Sequence, residues 1–135
     1  MLSIASYSQD YVDGVRAKIG RQLATYRALK VQGPAAEAFE REFFRNLILA
    51  LDAYFGHRAR GQELKDGNPL NEVRSLCGSI LSGDGAFTPD KTIKYDPARA
   101  VLKLKPADQI VLDADRFEAL ADAFFAELTH KYAGA

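Results

Sequence analysis

Residues 39–55 run FEREFFRNLILALDAYF, and the spacing of the apolar residues within them decides the fold. Phe39, Phe43, Leu47, Ala50 and Tyr54 recur at steps of three and four, and so do Phe44, Ile48, Leu51 and Phe55. Steps of that size place each set on one face of a helix. The two stripes adjoin and cover more than half of the circumference. Such a helix is central to a bundle, or it also faces a second subunit. The helix is predicted from Pro34, whose missing N–H suits a first turn, to about Arg60, with Gly61 as its stop. Glu37, Glu40 and Glu42 favour its positive end, and Arg58 and Arg60 its negative end.

Three further amphipathic helices flank it. Asp10 to Val31 carries Val12, Val15, Ile19, Leu23, Tyr26 and Leu29 on one face, with Ser8 or Asp10 as cap and Gly33-Pro34 as terminator. Asn68 and Pro69 start another, with Val73, Leu76, Cys77, Ile80 and Leu81 inward and an end near Ser82, before Gly83-Asp84-Gly85. The last helix is capped by Asp113, with Leu112 and Phe117 at the spacing of a hydrophobic staple. Phe117, Leu120, Ala121, Phe124, Leu128 and Tyr132 form its face. Residues 86–112 differ: Pro89, Pro97 and Pro106 separate short β-rich runs. Thr92–Tyr95, Val101–Lys105 and Gln109–Leu112 read as strands. The expected fold is therefore mainly α: one four-helix bundle domain over residues 1–135, with a short two- or three-stranded β element between the third and fourth helices.

The 135 residues are 47% hydrophobic and 27% charged, an ordinary globular balance. Eighteen basic and eighteen acidic residues cancel, so no global field draws nucleic acid. Lys91, Lys94, Lys103 and Lys105 gather near Tyr95, but Asp90, Asp96 and Asp108 dilute them. The longest apolar run, Leu47–Leu51, is far below the roughly 20 residues of a membrane span. Met1–Asp10 lacks the pattern of a signal peptide, and Cys77 is the single cysteine. A cytoplasmic protein with no nucleic-acid and no membrane partner is the expectation.

No metal or cofactor motif stands out. Glu127-Leu128-Thr129-His130 is a Glu-x-x-His on a helix, but a di-iron bundle needs two such pairs and His57 has no glutamate three residues before it. Cys77 lies on an apolar stripe, where a free thiol behaves as a small hydrophobe. Gly-x-Ser-x-Gly and His-Glu-x-x-His are absent. Asp52 interrupts the apolar run of the second helix, either on a narrow solvent-facing strip or buried with a basic partner.

The densest polar segment, with Asp52 before it, supplies the candidate site: Asp52, His57, Arg58, Glu63, Lys65, Asp66, Asn68, Asn71, Glu72 and Arg74. Basic residues near a helix N-terminus suit a small anionic ligand or a protein partner. In the plainer account, Asn68, Asn71, Glu72 and Arg74 cap the helix and stitch the loop to the bundle.

Leu51-Asp52-Ala53-Tyr54-Phe55-Gly56-His57-Arg58, followed by Lys65-Asp66-Gly67-Asn68-Pro69-Leu70-Asn71-Glu72-Val73-Arg74, resembles a family of small uncharacterised bacterial proteins. The resemblance implies a bacterial origin and carries no activity, cofactor or partner. A non-catalytic interaction or ligand-binding module acting as a homodimer is the function expected from the residues. The alternative is a small metal-binding or hydrolytic enzyme using a carboxylate and histidine cluster.

Overall fold

The computed structural model describes residues 8–59, 67–83, 85–89 and 95–131, the side chains of 56–59 and 131 excepted. Four helices occur among them: α1 (Gln9–Leu29), α2 (Pro34–Ala59), α3 (Pro69–Ser82) and α4 (Ala114–Lys131). Their ends follow from local chemistry. Ser8 Oγ accepts the Tyr11 N–H at 3.1 Å and opens α1. Lys30, in the left-handed region with φ 50°, closes it by donating its N–H to the Arg27 carbonyl. At α4, Asp113 Oδ1 accepts the Arg116 N–H at 2.8 Å, and the staple pair Leu112 and Phe117 is buried.

α4 touches each of the other three helices, α2 packs on α3, and α1 lies mainly on α4. The inward stripe of α2, Phe44, Ile48, Leu51 and Phe55, is fully buried. Phe44 meets Phe117 with ring centroids 5.4 Å apart, and Phe55 meets Phe124 at 5.8 Å. The central helix is therefore α4; α2 has a buried side and an open side. α1 and α2 are bridged by rings rather than by close backbones: Tyr26 of α1 stands edge-on to Phe44 at 5.2 Å.

The expected β element is not formed among the described residues. Residues 92–94 of the first predicted strand lie outside them. Val101–Lys105 is irregular, and Gln109 makes one isolated antiparallel bridge to Ala86. Alternation suits a strand only where a neighbouring strand takes the backbone groups. Here side chains take them instead. Glu72 accepts the N–H groups of Val101 and Leu102, Tyr95 Oη donates to the Leu104 carbonyl at 2.6 Å, and Asp108 accepts the Lys105 N–H at 2.8 Å. Lys103, with φ 54°, also breaks the pleat. Three backbone bonds tie 85–87 to 107–110: Phe87 N to Asp108 O, Ala107 N to Phe87 O and Ile110 N to Gly85 O.

The excursion is nonetheless core. Phe87, Leu102, Leu104, Ile110 and Leu112 are buried with the helical faces, and Phe87 packs edge-on against Tyr95 at 4.7 Å. Arg45 of α2 spans Gly85 to donate to the Ile110 carbonyl through Nε (3.0 Å) and a terminal nitrogen (2.7 Å). A methyl at residue 85 would sit 2.5 Å from that guanidinium, and φ there is 97°, so only glycine fits.

Gly20 is different. It lies in α1 on a shallow gap against α4, and an added methyl there meets nothing within 4 Å. Gly20→Ala should stabilise the fold by about 0.5–1 kcal/mol through helix propensity. Thermal or urea unfolding measures it; a destabilised variant would contradict the α1–α4 packing described.

Candidate functional site

The sequence-predicted polar segment divides. Glu63, Lys65 and Asp66 lie outside the described residues, as do the side chains of His57 and Arg58. Asp52 is half-buried on α2 and Arg74 half-buried on α3. Asn68, Asn71 and Glu72 are almost wholly buried. Asn68 Oδ1 accepts the N–H groups of Leu70 (2.8 Å) and Asn71 (3.2 Å), while Asn71 Oδ1 accepts those of Gly67 (3.0 Å) and Asn68 (3.3 Å). This reciprocal cap uses the helix's orphan donors, the groups an anion would need.

Glu72 acts as a clamp. Its Oε1 accepts the Val101 N–H at 2.8 Å and its Oε2 the Leu102 N–H at 2.9 Å. Arg116 closes the other side, donating to the carbonyls of Val111 (2.8 Å) and Leu102 (3.2 Å). Burial raises the Glu72 pKa above the usual carboxylate value. The Leu102 and Val101 N–H groups, then the charges of Lys103 and Arg116, pull against that rise without cancelling it. Both carboxylate oxygens hold backbone amides, which suits anchoring and not proton transfer.

The remaining chemical candidates are dispersed. Cys77 is buried, with its thiol 3.5 Å from the Ile48 carbonyl. His130 is exposed near the end of α4 and Glu127 half-buried. Among the described residues no three of His, Cys, Asp and Glu gather closely enough to hold a metal ion. No helix among them is long and apolar enough to cross a membrane.

The open surface lies on α1 and α2. Between these helices runs a groove of about 620 Å³ lined by Lys18, Arg21, Gln22, Thr25, Tyr26, Leu29, Phe39 and Phe43. Three near-parallel rings form its wall: Phe39–Phe43 at 5.4 Å, Tyr26–Phe43 at 5.6 Å and Tyr26–Phe39 at 6.4 Å. Phe39 is 51% exposed and Leu29 60%. The Tyr26 hydroxyl donates to the Glu40 carboxylate, and burial together with that bond pushes its pKa up to about 12. The second apolar stripe of α2 is thus only partly covered: Leu47 is buried, Phe43, Ala50 and Tyr54 are half-buried, and Phe39 is open.

One residue further round α2, Ala35, Phe39, Glu42, Asn46 and Ala53 are exposed and Leu49 half-exposed. Their alternating steps of four and three make a heptad seam that the chain leaves without a partner helix among the described residues. Sequence reasoning missed both the seam and the basic rim of the groove. The signal was present: Lys18, Arg21, Gln22, Thr25 and Leu29 share one side of α1, flanking its buried stripe.

Glu72→Ala would orphan one buried and one part-buried N–H group and is expected to cost about 2–4 kcal/mol, read by urea unfolding. Glu72→Gln keeps one acceptor and should cost less. The sign of the pH effect follows from the raised pKa. Folded Glu72 holds its proton to higher pH than the unfolded chain does. Its contribution to stability is therefore fullest below the ordinary carboxylate value and declines as pH rises through its folded pKa. The stability difference between the native chain and Glu72→Gln should shift toward the native chain on acidification; an opposite slope would refute the burial account.

Comparison with protein-family models, with curated proteins and with solved structures finds no match to this chain, so geometry carries the functional reading.

Proposed function

We propose that the chain is a non-catalytic interaction module that works as a homodimer, joined through the exposed seam of α2. The supporting observation is the seam's order: Ala35, Phe39, Glu42, Asn46, Leu49, Ala53. In an antiparallel coiled pair, a positions face d positions of the partner helix. Laid against its own copy in that arrangement, Phe39 falls opposite Leu49 and Ala35 opposite Ala53. Glu42 falls opposite Asn46, whose amide can donate to the carboxylate. Apolar residues meet apolar ones, small meets small, and the two polar layers satisfy each other. A surface complementary to itself is what a two-fold dimer requires.

A cytoplasmic setting is in keeping with the lone cysteine, Cys77, which is buried as a free thiol. The resemblance of the Asp52–Arg58 and Lys65–Arg74 segments supports a bacterial source. In this reading Asn68, Asn71 and Glu72 build the scaffold rather than meet a ligand.

Light scattering across a dilution series should give twice the chain mass at about 100 µM and fall toward the monomer on dilution. Phe39→Glu and Ala53→Glu, both on exposed positions, should hold the chain monomeric with an unchanged helical circular dichroism spectrum. A native chain that stays monomeric at the top concentration ends the proposal, as does a dimer indifferent to both substitutions.

A further inference from the structure

We infer that the groove between α1 and α2 is a binding site for a free single-chain anionic amphiphile, a fatty acyl carboxylate, held by one copy of the chain. The site meets the seam at Phe39 alone: Lys18, Arg21, Gln22, Thr25, Tyr26 and Leu29 belong to α1, and Phe43 of α2 lies outside the seam.

The first argument is polarity along the groove. Its lining on α1 runs from Lys18 to Leu29, about 16 Å at the helical rise of roughly 1.5 Å per residue. Both cations, Lys18 and Arg21, lie toward one end. Gln22 and Thr25 follow, and Leu29 with Phe39 marks the other end, both largely exposed. A site charged at one end and oily at the other matches an elongated ligand with the same division. A compact polar metabolite would leave Leu29, Phe39 and Phe43 facing water.

The second argument is charge. No acidic residue lines the groove. Glu40, which contacts the wall, receives the Tyr26 hydroxyl. Among the described residues Arg21 has no ion-pair or hydrogen-bond partner, and the Lys18 ammonium has only the Tyr54 ring, 5.7 Å away. The other basic residues of α1 facing α4 are paired: Arg16 with Asp122 at 3.3 Å, and Arg27 with Asp115 at 2.8 Å and Glu118 at 3.2 Å. Two cations with no acidic partner among the described residues, beside an aromatic wall, call for an anion attached to an apolar body.

The third argument is shape. The volume, about 620 Å³, falls within the range of small-ligand clefts. The wall is preformed, because Tyr26 is packed between Phe44 and the Phe39–Phe43 stack and fixed at its hydroxyl. A chain lying lengthwise between two helices fits this form.

Isothermal titration with dodecanoate below its micellar concentration, against dodecanol and dodecyltrimethylammonium, tests the inference. Dodecanoate should bind one per chain with Kd of about tens of micromolar, and the neutral and cationic chains roughly tenfold or more weakly. Arg21→Glu and Lys18→Glu, both on exposed positions, should each weaken dodecanoate roughly tenfold, with NMR shift changes centred on Thr25, Leu29 and Phe39 in the native chain. Equal binding of dodecanol, or indifference to Arg21→Glu, would overturn the site. So would binding to phosphatidylglycerol vesicles with none to dodecanoate. Ala53→Glu should retain dodecanoate binding while losing self-association; loss of both would overturn a site built from one chain.

Discussion

The structure depends on how a long connection, without helix or ladder among its described residues, satisfies its backbone. Between α3 and α4 the chain crosses the core, burying Phe87, Leu102, Leu104 and Ile110. Every amide and carbonyl taken inward with them needs a partner. The helices supply those partners from their side chains. Arg45 of α2 reaches the Ile110 carbonyl, Glu72 of α3 takes two consecutive N–H groups, and Arg116 of α4 holds two carbonyls. Ser79 of α3 accepts the Thr88 N–H at 2.8 Å and donates to the Thr88 carbonyl at 3.0 Å. Three helices are thereby fixed relative to one another through a segment that belongs to none of them.

This division explains what could be read from the sequence. The helices were legible because periodicity, caps and terminators are local. Pro34 and Pro69 each mark a start, Asn68 and Asp113 cap, and the predicted ends differ from the observed ones by a residue or two. Lys30, not Gly33, ends α1, since a left-handed C-cap needs no glycine when the backbone gains a bond. Of the predicted strands, Val101–Lys105 and Gln109–Leu112 do not form, because alternation reports which side chains are buried, not what binds the backbone. Leu102 and Leu104 do alternate inward, as a strand would have them, but their amides and carbonyls meet Glu72, Arg116 and Tyr95.

The candidate site was less legible for a related reason. Residues 57–74 form a conspicuous polar run, yet Asn68, Asn71 and Glu72 are polar because the fold needs acceptors there. The open surfaces are made of residues that look unremarkable in sequence. On α2 the difference between a covered and an uncovered stripe is one position of rotation, from Leu47 to Asn46. The placement of α1 bears on it, and Tyr26 is where α1 meets this part of α2. Its ring wedges between Phe44 and the Phe39–Phe43 stack, so α1 leans on α4 and stands off from α2.

The Glu72 clamp has a kinetic corollary. Irregular segments are ordinarily the first parts of a protein whose amides trade hydrogen for deuterium, because they open without disturbing the helices. Here the amides of Val101 and Leu102 are held by Glu72 of α3 and the Leu102 carbonyl by Arg116 of α4, so freeing the segment breaks its bonds to both helices. Protection of these two coil positions therefore depends on helices that neither of them belongs to.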